Sequence, residues 1–274
     1  MRDYREINRH SWNNRVQTHL ESRFYDLEGF LKGESSLKEV ELGLLGDLRG
    51  KTLLHLQCHF GQDSISLGRL GAKVTGVDLS DKAIEEAVKL SRETGTEVSF
   101  ICSDLYDLPL HLDRKFDLVF SSYGTIQWLP DLNKWAELIS HFLKPGGRFI
   151  FVDFHPVLWM FDDKFQSIKY RYFNSGPIEE LESGTYADRK APLSQKSITW
   201  NHGIAEILNP LIMSGLRIDS FREYDFSPYD CFDQTVQIAP GKYRIAPLKD
   251  RVPMLFSLTA SKNSSPDTSF SQKG

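Results

Sequence analysis

The chain has 274 residues, of which 40% are hydrophobic and 26% charged, proportions typical of a globular protein that buries a core without disulfides or structural metals. A net charge of −4 without a basic stripe excludes a non-specific nucleic-acid binder, so we expect no nucleic-acid partner. The three cysteines form no disulfide framework. The polar N-terminus is unlike a secretory signal, and no apolar run approaches the ~20 residues that span a bilayer. We therefore expect a cytoplasmic protein that does not bind membranes.

Strand-like apolar runs and helix-like spacing alternate from residue 51 onward. The pattern predicts, in chain order, a strand at 53–56, a helix at 62–70, a strand at 74–78, a helix at 81–94, strands at 98–102 and 116–120, a helix at 131–143, a strand at 148–155, a helix at 202–214, and strands at 216–226 and 254–260. Lys144-Pro145-Gly146-Gly147 predicts a tight turn, because proline fixes φ at the second position and glycine accepts a positive φ after it.

Repeated strand–helix–strand units of this length predict parallel strands joined by right-handed crossovers, with helices on both faces. The predicted fold class is therefore α/β, with a doubly wound, mostly parallel sheet. In such sheets a ligand binds at the carboxyl ends of the strands. The loops that meet there follow Leu56, Val77, Ile101, Phe120 and Phe154. We expect the functional residues in those loops.

Two segments depart from this alternation. Residues 156–200 are rich in aromatic side chains, and residues 227–253 are rich in aromatic side chains and proline. Because both follow strands whose ends face the crevice, we expect them to cover it as a lid. Helical spacing in residues 1–45 predicts an N-terminal helical cap beside a main domain at 46–262. The polar residues 263–274 predict a disordered tail.

Polar features occur at three of the predicted strand ends. The loop at 57–61 begins a helix, whose free amides favour an anionic group. Asp78 ends the second strand, where a carboxylate can accept hydrogen bonds from ribose hydroxyls. After the third strand, Asp104 can accept from an adenine amino group, and the Leu105 amide can donate to a ring nitrogen. The loops therefore suit a ligand that contains a nucleoside.

A dinucleotide dehydrogenase and a metal enzyme fit these loops poorly. The dinucleotide fingerprint G-x-G-x-x-G requires glycine where the chain has Gln57, His59 and Gln62. His55, Cys58 and His59 do not converge easily on one metal ion, since neighbouring residues of an extended segment point to opposite faces. We therefore expect neither a nicotinamide cofactor nor a metal site.

Five segments carry a resemblance to a known family. In chain order they read LLHLQCHFG, GAKVTGVDLS, SDLYDLP, FDLVFSSYG and LKPGGRFIFVDFHP, and they cover about residues 50–155. In this order and spacing the chain resembles the class I S-adenosylmethionine-dependent methyltransferases, weakly as far as residue 262. The resemblance implies a Rossmann-like sheet of seven strands with an antiparallel last strand. It also implies S-adenosyl-L-methionine as the cofactor.

The first glycine loop departs from the family pattern, which is acid-x-Gly-x-Gly-x-Gly. The corresponding positions are His55, Gln57, His59 and Gly61. The loop therefore either lies further from the cofactor or contacts it with side chains. Gln57 can bond the amino-acid part of the cofactor, and Asp63 can replace the missing acid and meet the ammonium. The predicted cofactor-binding residues are His55, Gln57, Cys58, Gly61, Asp63, Asp78, Leu79, Asp104, Leu105 and Ser121.

Two residues near the strand ends are candidates for catalysis. Tyr123 follows the fourth strand, where methyltransferases place substrate contacts, and its alternative role is packing under the lid. His155 ends the fifth strand, and Asp153 can orient its imidazole as a general base. The alternative for His155 is a turn histidine before Pro156. The predicted substrate-binding residues are Tyr25, Trp128 and Trp159.

The predicted function is methylation of a small, partly apolar or planar metabolite in a covered crevice. The (Asn/Asp)-Pro-Pro-aromatic motif of amino-directed DNA methyltransferases is absent after the fourth strand. Two alternatives stay open on the sequence. A non-catalytic S-adenosylmethionine-binding module predicts weak cofactor binding without turnover, and a methyltransferase of a macromolecule predicts an open groove with a basic rim. The acceptor, the methylated atom and the oligomeric state are not specified by the sequence.

Overall fold

The computed structural model describes residues 3–264. Its α-helices are α1 (Tyr4–Glu21), α2 (Leu27–Leu31), α3 (Glu39–Leu45), α4 (Gln62–Arg69), α5 (Asp81–Glu93), α6 (Leu132–Phe142) and α7 (Ile204–Met213). Its strands are β1 (Thr52–Leu56), β2 (Lys73–Asp78), β3 (Ser99–Cys102), β4 (Phe116–Ser122), β5 (Leu143–Phe154), β6 (Ile178–Ser183), β7 (Ser194–Thr199), β8 (Leu216–Tyr224), β9 (Thr235–Ala239), β10 (Lys242–Ile245) and β11 (Leu255–Lys262). Apart from its first two residues, the tail predicted at 263–274 lies outside the described residues.

The central sheet has seven strands in the order β3-β2-β1-β4-β5-β11-β8. The first five of these pair in parallel. β11 runs antiparallel to both of its neighbours, β5 and β8. The strand order reverses between β1 and β4, so the crevice at this switch point opens at the carboxyl ends of both strands. The predicted fold class, a doubly wound and mostly parallel sheet with an antiparallel last strand, is confirmed.

Side chains of the central strands alternate between two buried clusters. Leu54 and Leu56 of β1 pack with Ile139 of α6 on one face of the sheet. Leu53, whose side chain points to the opposite face of the sheet, packs with Leu67 of α4 there. Both faces are thus covered by helices, which is why the parallel strands read as nearly continuous apolar runs in the sequence. The carboxyl edge of the sheet is where the cavity described below opens.

Local capping signals set where two of the helices begin. At α5 the Ser80 hydroxyl accepts a hydrogen bond from the Ala83 amide at 3.0 Å. At α6 the Asp131 carboxylate accepts from the amides of Asn133 and Lys134. Such caps each stabilise a helix by about 1 kcal/mol. The predicted limits of both helices agree with the structure to within one residue.

The predicted turn at 144–147 lies inside β5 rather than before it. The pairing of β4 with β5 is irregular just after the first paired residues, where the turn loops out of the ladder. Gly146 has a φ of 75°, the conformation expected of a glycine in this turn. The ammonium of Lys144 lies 3.0 Å from the Asp117 carboxylate. The turn is therefore pinned to the amino end of β4.

Asp117 makes the fold sensitive to acid. Its carboxylate accepts from the Thr52 amide at 2.8 Å, the Thr52 hydroxyl at 2.7 Å and Lys144. Burial raises the pKa of Asp117, but these hydrogen bonds outweigh it and lower the pKa from 3.8 to about 2. Because the folded pKa is depressed, the stabilisation is present above about pH 4 and is lost as the pH falls toward 2.

We expect Asp117→Asn to lower the free energy of unfolding at neutral pH, because an amide holds Lys144 less strongly than a carboxylate does. The difference from the wild type should shrink as the pH falls from about 4. Urea unfolding of both proteins across that range measures it. A difference that does not change with pH would show that ionisation of Asp117 contributes nothing.

The two segments predicted as a lid each contain a β-hairpin that the sequence did not predict. β6 pairs with β7 in the first, and β9 pairs with β10 in the second. The first hairpin reads IEELES and SQKSIT, so its strands carry polar side chains and lack the apolar runs that predict buried strands. Both segments contribute residues to the cavity described below.

Helix α1 contacts the first hairpin through two hydrogen bonds between an asparagine side chain and the backbone of β7. The Asn8 amide donates to the Ile198 carbonyl at 2.8 Å and accepts from the Ile198 amide at 2.9 Å. The N-terminal helix and β7 therefore form one cover over the sheet edge. Among residues 3–264, no helix has the combination of length and apolar character that crossing a bilayer requires.

Candidate active site

A cavity of about 970 Å³ opens at the carboxyl ends of β1 to β4, under α1 and the two inserted segments. This volume is at the upper end of the range found for small-molecule sites. The predicted site residues that line it are Tyr25, His55, Gln57, Cys58, Gly61, Asp63, Asp78, Leu79, Asp104, Leu105, Tyr123, Trp128 and Trp159. Ser121 and His155 are not among the lining residues.

The first loop keeps a left-handed backbone at all three positions where the family pattern has glycine. The φ values are 54° at Gln57, 50° at His59 and 82° at Gly61. A side chain at such a position costs roughly 1–2 kcal/mol, and here each side chain has a hydrogen bond beside the loop. Gln57 donates to the Thr125 carbonyl at 2.9 Å, and His59 Nε2 lies 2.8 Å from His19 Nδ1. The loop thus retains the backbone course that glycine favours.

Gly61 is the glycine of this loop that cannot be replaced. A Cβ there would lie 2.7 Å from the Phe100 ring and 2.9 Å from Ala87. We expect Gly61→Ala to lower the free energy of unfolding by about 2–3 kcal/mol, because a clash is added to the left-handed strain. Gly50 is the matched control, since its φ is 72° and nothing lies within 4 Å of its added Cβ. Urea unfolding should show a loss of about 1 kcal/mol for Gly50→Ala, and equal losses for both variants would contradict the clash.

Asp78 ends β2 on the floor of the cavity. Its carboxylate accepts from the His59 amide at 2.7 Å and from the Ser80 amide at 2.9 Å. Burial raises its pKa to about 6, against the lowering effect of these backbone donors. Each oxygen keeps a lone pair that a ligand hydroxyl can use. Asp78 therefore links the glycine loop to the start of α5 and presents a carboxylate to the cavity.

Asp104 holds the equivalent place after β3. Its carboxylate accepts from the Tyr106 amide at 2.9 Å and lies 3.4 Å from the Arg5 guanidinium of α1. Burial raises its pKa. His55, at the position of the family's first acid, is buried and lies 2.7 Å from the Ser64 hydroxyl. Burial lowers the pKa of His55 to about 4, so its imidazole is neutral at physiological pH.

Asp63 and Ser122 meet where the first loop faces the end of β4. The Ser122 hydroxyl donates to the Asp63 carboxylate at 3.3 Å. The neighbouring Ser121 is buried, and its hydroxyl donates to Thr125 Oγ1 at 3.1 Å. Since successive strand residues point to opposite faces, Ser122 takes the place in the cavity that was predicted for Ser121.

His155 and Asp153 do not form the predicted pair. The strand ends at Phe154, and His155 Nδ1 caps the following 3₁₀ turn by accepting from the Val157 amide at 3.2 Å. Its Nε2 faces Glu223 of β8 at 2.8 Å, and burial lowers its pKa. His155 thus occupies a turn outside the cavity, as its alternative interpretation states. The Asp153 carboxylate instead accepts from backbone amides at the end of β4.

Aromatic rings form much of the wall of the cavity. The Trp128 indole donates to the Gly124 carbonyl at 2.9 Å, and the Tyr25 hydroxyl lies 2.5 Å from that of Tyr186. Trp159 packs against Phe232 of the second inserted segment. The substrate-side residues predicted from the sequence therefore all lie on this wall.

Several cavity or second-layer residues were missed by the sequence prediction. They are Arg15, His19, Glu41, Tyr186 and Tyr229. Two signals exist for them: Arg15 and His19 lie one turn apart on α1, and Tyr186 and Tyr229 lie in the aromatic-rich segments predicted to cover the crevice. Burial lowers the pKa of His19 to about 2, with His59 and Arg15 adding repulsion. Within the described part of the chain, no cluster of three or more His, Cys, Asp or Glu residues suits a metal ion.

Comparisons with known proteins agree with this geometry. A family model described as a methyltransferase domain matches residues 53–147. The chain is 29% identical over 136 residues to a ubiquinone biosynthesis O-methyltransferase of Idiomarina loihiensis, over 48% of this chain and 56% of that protein. It is 28% identical over 231 residues to an uncharacterized protein of Haemophilus influenzae, over 77% of this chain and 87% of the other. The chain thus spans about half the length of the O-methyltransferase it matches.

A solved structure shows the same fold. The S-adenosylmethionine-dependent methyltransferase of Mesorhizobium loti superposes with a TM-score of 0.59 at 24% identity, over 85% of this chain and all of the other. The matched domain contains β1, β2, β3 and β4, whose carboxyl ends form the floor of the cavity. Residues 53–147 thus match a methyltransferase domain, and the central sheet has the fold of the class I S-adenosylmethionine-dependent methyltransferases.

Proposed function

We propose that the protein transfers a methyl group from S-adenosylmethionine to a small, partly apolar or planar molecule. The observation that carries this proposal is the pairing of Asp78 with the left-handed first loop on the floor of a covered cavity. The floor suits a nucleoside with a charged amino-acid arm. The aromatic side chains of the cavity wall suit a planar acceptor.

The residues present fit the cofactor. Gln57 Oε1 and His59 Nδ1 are buried beside the loop and have no hydrogen-bond partner among the described residues, which is the signature of a site built for a polar ligand. Asp78 would hold the ribose hydroxyls, and Asp104 with the Leu105 amide would hold the adenine. Asp63 would meet the ammonium, and Gln57 would bond the amino-acid part.

When bound, the cofactor supplies an activated methyl group on a positively charged sulfur. The chain's own task is to orient the acceptor and to exclude water. Helix α1 and the two inserted segments cover the cavity, and their aromatic side chains make its wall apolar. Holding two reactants in such a space at near-attack distance supplies much of the rate enhancement of a displacement.

The covered cavity favours a small acceptor over a macromolecule. The cavity is covered by α1, the first hairpin and residues 229–233 of the second inserted segment, and a polymer would need an open groove there. The curated relatives named as ubiquinone biosynthesis O-methyltransferases support the same size class. A non-catalytic module would need no acceptor space beside the cofactor, whereas the cavity of about 970 Å³ lies at the upper end of the range for small-molecule sites.

Calorimetric titration with S-adenosylmethionine, S-adenosylhomocysteine and NADH tests the proposal. We expect micromolar binding of both adenosyl ligands and none of NADH. Absence of adenosyl binding would overturn the proposed function. Binding without methyl transfer to any member of a panel of small aromatic acceptors would favour the non-catalytic alternative.

A further inference from the structure

Glu41 of α3 is a fully buried carboxylate that has no cation to balance it. Its side chain has no exposed surface, and among the described residues no lysine, arginine or histidine forms an ion pair with it. One oxygen accepts from the Lys38 amide at 2.5 Å. A buried charge without a partner is expensive to maintain, so its retention calls for an explanation beyond capping a seven-residue helix.

The second Glu41 oxygen connects it to the cavity. It accepts a hydrogen bond from the Tyr123 hydroxyl. Tyr123 lines the cavity directly after β4, with a left-handed φ of 50°, and its ring packs edge-on against Tyr229 of the second inserted segment at 5.0 Å. The Tyr123 hydroxyl keeps a lone pair after donating to Glu41. It can therefore accept one proton and pass on another.

We propose that Glu41, through the hydroxyl of Tyr123, takes up the proton that a phenolic acceptor loses when it is methylated. This inference rests on the proposed function and names the acceptor class for the same cavity. Tyr123 contacts the acceptor. Glu41 acts through Tyr123 and is a positioning residue.

The step balances in atoms and charge. The acceptor oxygen forms a bond to the methyl carbon while the bond from that carbon to the cofactor's sulfur breaks, and the electron pair stays on the sulfur. The acceptor proton moves to Tyr123 Oη, and the Tyr123 proton moves to Glu41. The products are a methyl ether, a neutral thioether and a protonated Glu41, which returns its proton to water as the site opens. The buried negative charge and the sulfonium charge are removed together.

The aromatic side chains that line the cavity favour an acceptor whose hydroxyl is carried by an aromatic ring, and the acid strengths of the groups agree with a phenol. Burial, with the nearby Asp63 charge, raises the pKa of Glu41 to about 7, against the lowering effect of its hydrogen bonds from Tyr123 and Lys38. The pKa of a phenol, near 10, is then about three units above that of Glu41. The pKa of a hydroxyl as weakly acidic as water is about nine units above it. The charged and titratable groups that face Glu41 are Tyr123, Asp63 and Tyr229, with the Lys38 ammonium over the Tyr229 ring at 4.9 Å.

The test compares two acceptors that differ in acid strength, catechol and 4-nitrophenol, at a pH where 4-nitrophenol is already ionised. We expect Glu41→Gln to lower kcat with catechol by about 10²–10⁴-fold, the usual contribution of a general base. With 4-nitrophenol kcat should change little, because no proton has to be moved. The wild-type kcat with catechol should rise with pH through about 7, and the variant should lack that rise.

Glu39→Gln is the matched control, because Glu39 is on the same helix and is exposed. Tyr123→Phe should reproduce the selective loss with catechol. Equal loss with both acceptors in Glu41→Gln would assign the residue a structural role and overturn the proposal. So would a wild-type protein that binds S-adenosylhomocysteine and methylates neither phenol. Failure to bind S-adenosylhomocysteine would instead overturn the proposed function.

A second measurement does not depend on turnover. In wild-type protein labelled with carbon-13 at the glutamate carboxyls, the Glu41 signal is identified by its absence from the spectrum of Glu41→Gln. This signal should titrate with a midpoint near 7. Tyr123→Phe removes a hydrogen bond that lowers this pKa, so it should move the midpoint upward. A midpoint near the ordinary glutamate value of 4.5 would contradict the proton acceptor.

Discussion

Asp78→Asn should weaken the binding of S-adenosylhomocysteine by about 30- to 150-fold. The carboxylate is the charged acceptor for the cofactor's ribose in our proposal, and hydrogen bonds to a charged group contribute about 2–3 kcal/mol. In the variant, the side-chain NH2 of the introduced asparagine replaces one of the two oxygens that accept from the His59 and Ser80 amides. Two donors then face each other, which loosens the first loop. Calorimetric titration of both proteins gives the ratio of dissociation constants.

The pH dependence of binding separates the charge of Asp78 from its shape. Because burial places its pKa at about 6, the carboxylate is the main form above that pH and the neutral acid below it. The wild-type affinity should therefore fall as the pH drops through about 6, and the affinity of Asp78→Asn should not.

Asp81→Asn is the matched control for this experiment. Asp81 begins the same helix, is not a lining residue of the cavity, and contacts Asn13 of α1 at 2.8 Å. We expect its affinity to stay within about twofold of the wild type, as for surface substitutions away from a site. An Asp78→Asn protein that is folded and binds as tightly as this control would remove Asp78 from the cofactor site.

The parts of the site that the sequence predicted are those that the parallel sheet itself positions. Asp78 is the last residue of β2 and Asp104 lies two residues after β3, so the sheet brings them together at one edge. Ser121 shows the limit of this reasoning. β4 continues to Ser122, two residues beyond the predicted end, so Ser121 and Ser122 alternate in direction and Ser122 is the one that meets Asp63.

The parts that were missed come from contacts between distant segments. Glu41 reaches Tyr123 from α3, and His19 reaches His59 from α1. The spacing of apolar residues predicts which face of a helix is buried, but it does not predict which loop that face contacts. The first hairpin was missed for a related reason, since its strands are largely polar and β7 is held by a hydrogen-bonded pair with Asn8 of α1.

The first loop shows why a motif can be altered while the backbone that it specifies is kept. Glycine is preferred at left-handed positions because it has no Cβ, but the preference is worth only about 1–2 kcal/mol per residue. The side chains of Gln57 and His59 each make a hydrogen bond that offsets this cost, to the Thr125 carbonyl and to His19 respectively. Gly61 has no such freedom, because the space beside it is filled by Phe100.

The second large effect is expected at Asp153, whose substitution should lower the stability of the whole fold. Its buried carboxylate accepts from the amides of Gly124, Thr125, Ile126 and Phe154 and from the Thr125 hydroxyl. Asp153→Ala leaves these donors unpaired in the interior, where each unpaired group costs about 1–3 kcal/mol. Allowing for relaxation, we expect the free energy of unfolding to fall by about 3–5 kcal/mol, measured by urea unfolding.

Asp117→Ala is the control that isolates burial, because Asp117 also accepts several hydrogen bonds but its side chain is 30% exposed. Water can replace the lost acceptor there, so we expect a loss of about 1 kcal/mol. Asp153 should also affect binding, since the turn it holds provides the Thr125 carbonyl that accepts from Gln57. If Asp153→Ala is no less stable than Asp117→Ala, the hydrogen bonds at the end of β4 do not organise the site, and other contacts, such as that of Tyr123 with Glu41, orient it instead.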